Sequence, residues 1–442
     1  LLAFRRVSEA NRDTPWYLRL LRDGSEAAER LTRVLSTSRF AAELLEAIPE
    51  AVAWLERDES LRPVPLEALL EEMRALASRR DNIDDSASAL RTVHRREVLR
   101  LALGRLVFVN DEADVARGLD AAHTALLDGL LLAIRRAAGE PESPIELALI
   151  GMGRYGGREL GFAGDIDLLA VYRLAPGATA AQSTGAARAA ERLVAELRRL
   201  VADPRFEVDL DFDLRPEGKN GPMVRSLDAY RAYYERWSLT WEAQALLRAR
   251  PVAGDAALGA DFAALADEIR YPETFGENEV REVRRIKARV EAERLPRGAD
   301  PKRHLKLGPG GISDVEWLVQ LLQLEYGAHH PALRTQSTLA ALSGAVEAGV
   351  LDETARDQLE TSWMLGSRIR SAFKLWNGRG SDSLPADRAE LEGIAGVLGM
   401  PSGRTTELEE QWLAAARRAR AVFERDFFGY SDRPDTYPVI LP

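Results

Sequence analysis

Residues 145–172 read IELALIGMGRYGGRELGFAGDIDLLAVY, and this stretch decides the fold class. Ile145–Ile150 is a short apolar run, and the glycine-rich Gly151-Met152-Gly153-Arg154-Tyr155-Gly156-Gly157 follows it. Asp165–Tyr172 then reads as a second strand that opens on two carboxylates. Residues two apart on a strand face the same side. Asp165 and Asp167 therefore point one way, roughly 6–7 Å apart along the backbone. Two oxygen-ligand cations that share a substrate phosphate need such a pair.

A third strand is expected over Phe206–Leu214 (FEVDLDFDL), where Val208, Leu210, Phe212 and Leu214 alternate with Asp209, Asp211 and Asp213. Three aspartates on one strand face repel one another unless cations or water compensate them. Taken alone, the segment also suits a solvated edge strand charged against aggregation. Between the second and third strands the spacing predicts a helix over roughly Ala180–Val201. Gly156-Gly157 is a tight turn, and it is also a place where backbone N–H groups can approach phosphate oxygens. Neither GxGxxG nor GxxxxGK[ST] is present.

Outward from this centre the chain reads as helical. Glu26–Leu35, Ala41–Leu55, Pro65–Ala77 and about Ala113–Ala137 carry apolar residues at three- and four-residue spacing. Gly139-Glu140-Pro141-Glu142-Ser143-Pro144 is expected to end the last of these in a loop. From Asp261 onward helices return, interrupted by the breaker-rich Leu295–Gly311. The expected fold class is mostly α with a central α/β domain. The expected division is a helical region over 1–99, a catalytic domain over 100–255 and a helical bundle over 256–442.

The 442 residues contain no cysteine, which excludes disulfides and thiolate metal sites and suits a cytoplasmic protein. There are 60 basic and 70 acidic residues, a formal charge of −10, which argues against a general nucleic-acid binder. No apolar run is long enough to span a membrane. The opening Leu1-Leu2-Ala3-Phe4-Arg5-Arg6 has neither an initiator methionine nor a signal-peptide pattern and reads as a cut.

The order of strand, Gly-Gly turn, acidic strand, helix and third acidic strand resembles the DNA polymerase β-like nucleotidyltransferase superfamily. Four blocks narrow the resemblance: GMGRYGGRELGFAGDIDLL (151–169), VDLDFDLRPEGKNGPMVRS (208–226), TWEAQALLRARPVAGD (240–255) and HLKLGPGGISDVEWLVQLLQL (304–324). Together they resemble the glutamine synthetase adenylyltransferase/deadenylylase family, whose members contain two similar halves. The opening segment and RRIKARVEAERLPRGADPKRHLKLG (284–308) resemble C-terminal halves of the high-GC Gram-positive type.

The resemblance implies transfer of AMP from ATP to a tyrosine hydroxyl of glutamine synthetase. Asp165, Asp167 and Asp211 would hold Mg²⁺ (or Mn²⁺), and Asp211 would also help accept the hydroxyl proton. Gly156 and Gly157 would cradle the triphosphate, with Arg215 and Lys219 near phosphate oxygens. It also implies the PII nitrogen-signal protein as a partner. Deadenylylation by phosphate would use the same carboxylates, and a binding module without chemistry would not need them. A small-molecule or RNA transferase of the same superfamily is a further alternative. Gly164 stands where the family usually has Ser, and Asp213 where Arg or Asn is usual.

Other residues read as structural. Ser313-Asp314-Val315-Glu316 fits a capping box with Ser313 as N-cap. Lys306, just before it, could reach a phosphate, but the sequence does not assign it that role. His123 lies within a helical run, and Tyr230, Tyr233, Tyr234, Trp237 and Trp241 recur at helical spacing, as core residues do. Glu242 and Gln244 suit either packing or support of the site.

Overall fold

The computed structural model describes residues 2–12, 14–22, 25–139, 145–178, 180–203, 206–237 and 240–429. Helices dominate these residues, and a small mixed sheet lies in the middle of the chain. Its strands are β1 (Ile145–Gly151), β2 (Ile166–Leu174), β3 (Leu210–Asp211), β4 (Val224–Ser226) and β5 (Arg250–Gly254). The order is β3-β2-β1-β5, and β4 also pairs with β2. β1 runs antiparallel to β2 and β5, whereas β2 runs parallel to β3 and β4.

β1 and β2 are apolar on both faces because helices cover both. Leu147, Leu149, Leu168 and Ala170 join the core formed with the helices Ile83–Leu106, Glu112–Ala137 and Ala180–Val201. Ala148, Ile150, Leu169 and Val171 join a second core filled by Tyr230, Tyr234, Leu246, Phe262 and Leu265. Burying each leucine or isoleucine is worth about 1.5–3 kcal/mol, so the register of β1 against β2 is strongly fixed. A third core, in the later helices, gathers Val283, Leu318, Leu322, Leu359, Trp363, Phe423 and Phe427. The first core extends from Val7 to Ala416, so apolar packing continues across residues 99 and 255.

Several local expectations are corrected. The third strand is reduced to Leu210–Asp211. Asp211 Oδ1 accepts the Asp213 N–H at 2.6 Å, and Arg215 donates to the Phe212 and Gly221 carbonyls, so the chain turns instead of extending. The alternation persists as burial: Leu210 and Phe212 are buried, and Asp209 and Asp213 are exposed. The helix expected over Ala41–Leu55 splits into Arg39–Ala47 and a 3-10 helix Pro49–Glu56. Pro49 has no N–H to continue the ladder. β4 and β5 are additional to the three expected strands; each is short, and β5 contains Pro251. The expected loop at 139–144 falls on residues 140–144, outside the described residues.

Candidate active site

Strand pairing builds the site. In the parallel β2–β3 pair Ile166 lies beside Leu210 and Asp167 beside Asp211, on strands about 4.7–4.9 Å apart. The Ile166 N–H donates to Asp209 O at 3.0 Å, which carries the pairing back alongside Asp165. Asp165, Asp167 and Asp211 thus gather at one end of the sheet, where β3 ends in its turn.

The carboxylates repel. Burial first, then Asp211 and Asp165, push Asp167 up to about 7. Asp165 is also raised, by burial and then Asp209, while Lys306 and Arg370 oppose the rise. Both cations come from the later helical region, more than a hundred residues away in sequence. Asp165, Asp167 and Asp211 offer the hard oxygen donors that Mg²⁺ and Mn²⁺ take. The repulsion at Asp167 is what a dication relieves. Among the described residues no three such side chains already converge on a metal position, and Asp211 Oδ1 is turned to the Asp213 N–H.

The glycine turn divides its roles. Gly153 has φ +51°, and a Cβ there would lie 2.1 Å from Asp167 Oδ2. Only glycine lets the chain pass so close to that carboxylate. The Met152 N–H donates to Asp167 O at 2.8 Å, which ties the turn to β2. Gly156 is buried, and its N–H donates to Met152 O at 2.7 Å. The Gly157 N–H donates to Gly153 O at 3.2 Å. Both N–H groups are thus spent within the turn, and a Cβ at Gly156 would lie 1.9 Å from Arg248 O.

Arg215 is buried, with Nε on Gly221 O and Nη1 on Phe212 O, so it holds the turn after β3. Lys219 is exposed and pairs with Asp213 at 3.2 Å, which offsets the extra negative charge at that position. At Gly164 a Cβ would approach Leu160 Cδ2 to 2.6 Å, so a larger residue there needs Leu160 to shift.

The turn is bolted to the later helices. Arg154 Nη2 donates to Ser367 Oγ at 3.0 Å, its guanidinium lies 4.8 Å from the Trp363 ring centre, and its Nε is buried without a partner. Glu159 accepts from Ser337 Oγ, Thr338 Oγ1 and the N–H groups of Thr338 and Leu339, capping the helix Thr338–Glu347. Arg248 Nη2 reaches the same Thr338 hydroxyl at 2.9 Å.

Ser313 is not an N-cap: the helix Ile312–Tyr326 starts after Gly311, and the Ser313 N–H donates to Lys306 O. Asp314 is fully enclosed and bonds Lys287 Nζ at 2.6 Å, Arg420 Nη1 at 3.0 Å and the Gly310 N–H at 2.7 Å. Glu316 accepts from Trp363 Nε1 at 3.2 Å. Glu242 accepts from Tyr233 OH and Gln244 donates to Gln320, so both join neighbouring elements. His123 Nδ1 meets His94 Nε2 at 2.9 Å beside the first core, and Tyr230 and Tyr234 stack in the second.

Sequence reasoning missed Gly153, Arg154, Glu159 and Arg370. Gly153 had a signal, a glycine two residues past the end of an apolar strand run. Arg370 had none, because only the packing of distant helices brings it near Asp165.

Family models match two stretches of the chain. The family model described as glutamate-ammonia ligase adenylyltransferase matches residues 28–265. A second, described as GlnD PII-uridylyltransferase, matches residues 284–427. A bifunctional glutamine synthetase adenylyltransferase/adenylyl-removing enzyme from Leifsonia xyli subsp. xyli is 57% identical over 99% of this chain and 43% of its own length. Proteins of the same name from Streptomyces coelicolor and Mycobacterium avium are 46% and 41% identical, each over 97% of this chain and 44% of their own length. The chain therefore spans less than half the length of these relatives.

Proposed function

The chain belongs to the glutamate-ammonia ligase adenylyltransferase family, and from that premise we propose that it transfers AMP from ATP to a tyrosine hydroxyl of glutamine synthetase, releasing pyrophosphate. The observation that carries the reading is the register of Asp167 beside Asp211, with Asp165 two residues earlier on the same sheet end. The sheet and its covering helices are read as a nucleotidyltransferase fold of the DNA polymerase β-like type. Residues 100–255 supply its catalytic portion, between helical regions 1–99 and 256–442.

Asp165, Asp167 and Asp211 are the residues that would hold Mg²⁺ or Mn²⁺. Strand pairing fixes their backbone positions, and side-chain rotation is what remains for them to converge. A dication bound there supplies charge for the phosphate oxygens and acidifies a nearby hydroxyl. Asp211 would help take the tyrosine proton as the oxygen attacks the α-phosphorus. Gly153 keeps the space in front of Asp167 clear, and the helices behind the turn limit its motion. Arg215 shapes the loop after β3, while Gly156 and Gly157 set the turn that the triphosphate would lie against.

Glutamine synthetase as protein substrate rests on the relatives' names. A PII-type signal protein is the partner suggested for residues 284–427. A cytoplasmic setting fits both, and no described helix is long and apolar enough to cross a membrane. The test is transfer of label from α-labelled ATP to purified glutamine synthetase by this chain with Mg²⁺. Labelled synthetase, lost with Asp165→Asn/Asp167→Asn, is the expected result. Phosphate-dependent ADP release from already adenylylated synthetase, without labelling, would reverse the assigned direction.

A further inference from the structure

The carboxylate end of the sheet is faced by cations from a part of the chain that the acidic strands do not include. Lys306 lies in the segment between the 3-10 helix Pro301–Arg303 and the helix Ile312–Tyr326. That segment is rigid at every step. The Leu305 N–H donates to Asp382 O at 2.7 Å, Leu305 O accepts the Ile312 N–H at 3.0 Å, and Lys306 O accepts the Ser313 N–H at 2.9 Å. The Leu307 N–H donates to His304 Nδ1 at 3.0 Å, and His304 is buried. The Lys306 side chain itself is exposed and makes no direct ion pair among the described residues.

Arg370 belongs to the same assembly. Its Nε donates to Asp382 Oδ1 at 2.6 Å, so Asp382 links Arg370 to the backbone beside Lys306. Ser371, next along the helix Glu353–Asn377, packs against Gly161: a Cβ there would lie 2.3 Å from Ser371 Oγ. Gly380 borders the same loop, since a Cβ built there would lie 3.7 Å from Ala163 Cβ. The loop that ends in Asp165 therefore rests on the surface that carries Arg370 and, through Asp382, Lys306. Both cations are felt at Asp165, and Lys306 at Asp167 as well.

An exposed lysine without an ion pair among the described residues, next to the backbone that shares Asp382 with Arg370, has no evident structural task. Oxyanions bound between the two walls give it one, since a phosphate chain needs positive charge on the side away from the dications. We infer that Lys306 and Arg370 bind the β- and γ-phosphates of ATP and hold the pyrophosphate as it leaves, so that the later helical region completes the nucleotide site. This rests on the transfer reading above and names residues that the acidic motif alone does not contain.

The test compares Lys306→Ala, Lys306→Arg and Lys302→Ala, the last removing an exposed charge from the 3-10 helix that precedes the segment. Binding of ATP, AMP and inorganic pyrophosphate, each with Mg²⁺, is measured by calorimetry on the whole chain, beside the transfer assay. Lys306→Ala is expected to weaken ATP and pyrophosphate by roughly ten- to hundredfold, the scale of one charge-assisted contact. AMP, which has no β-phosphate, should change less than twofold. Lys306→Arg should recover most of the loss and Lys302→Ala should match the wild type. Equal weakening of AMP and ATP, or unchanged pyrophosphate binding in a Lys306→Ala chain, overturns the inference while wild-type transfer leaves the reading beneath it standing. A wild-type chain that binds neither ATP nor pyrophosphate overturns both.

Discussion

Two aspartates in this chain, Asp314 enclosed and Asp167 half-buried, are treated in opposite ways. Burial alone would push Asp314 up, yet Lys287, Arg420 and the Gly310 N–H hold it below the usual carboxylate range. Asp167 is driven up to about 7 by burial and then by Asp211 and Asp165, with Lys306 opposing them. Asp314 ties three helices together, Glu277–Arg294, Ile312–Tyr326 and Thr405–Phe428. The Asp167 side chain makes no ion pair among the described residues. A charge that a fold encloses for its own stability arrives with its partners, and one that it encloses for a ligand is left wanting them.

That contrast can be broken most directly by removing the charges. Asp167→Asn should lower AMP transfer by about a thousandfold or more, the scale of several kcal/mol of lost transition-state stabilisation. Its unfolding free energy should hold or rise. A folded variant with near-normal transfer would end the site assignment. Asp314→Ala should do the reverse and cost about 3–5 kcal/mol in denaturant titration, because Lys287, wholly enclosed, loses its partner. A loss below about 1 kcal/mol would put the two aspartates in one class.

The contrast sharpens with added cation. Saturating Mg²⁺ at a hundred times its dissociation constant should raise the unfolding free energy by about 2.7 kcal/mol, and Asp165→Asn/Asp167→Asn should abolish the shift. An equal shift in that variant would locate the cation elsewhere. Gly153→Ala should cost about 1–2 kcal/mol of stability for its left-handed backbone. Transfer should fall by up to about a hundredfold as Asp167 is displaced. If transfer follows the folded fraction alone, Gly153 serves only the turn.

A separate effect, read along the pH axis, belongs to the histidine pair, a neutral counterpart of the two aspartates. Burial lowers His123 to about 4 and, with help from His123 and Arg95, lowers His94 as well. The unfolded chain titrates near ~6.5, so between pH 6.5 and about 4 it binds protons that the folded chain refuses. The pair's contribution is therefore complete above pH 6.5 and declines as pH falls to about 4, by up to about 1.4 kcal/mol per pH unit for each histidine. His123→Gln should flatten that part of the stability curve; an unchanged slope would remove the pair from the account.

Much of the site was legible because strand pairing is written locally. Asp165, Asp167 and the alternation around Asp211 are visible as a period of two, and β1, β2 and the helix Ala180–Val201 lie close to where that pattern puts them. The end of β3 was less legible, since the side chain of Asp211 competes with the ladder for the Asp213 N–H. β4 and β5 are strands by virtue of a neighbour, with three and five residues that carry little pattern of their own. Arg370 was beyond reach, because no local rule relates it to a carboxylate two hundred residues earlier. The capping-box reading failed for a similar reason: Gly310 and Gly311 pack tightly enough to start the helix before Ser313 does.

Glu159 bears on how such a chain can be taken apart. Its carboxylate collects hydroxyl and amide protons from Ser337, Thr338 and Leu339, and little of it meets water. Cutting the polypeptide at 255 would leave that carboxylate facing solvent on one fragment and, on the other, a helix capped by Ser337 alone. Co-expressed fragments should find each other again through this one clasp, and a chimaera that exchanges either stretch alone would inherit half of it. For a builder of hybrid enzymes, the smallest interchangeable part is the sheet together with its later helices.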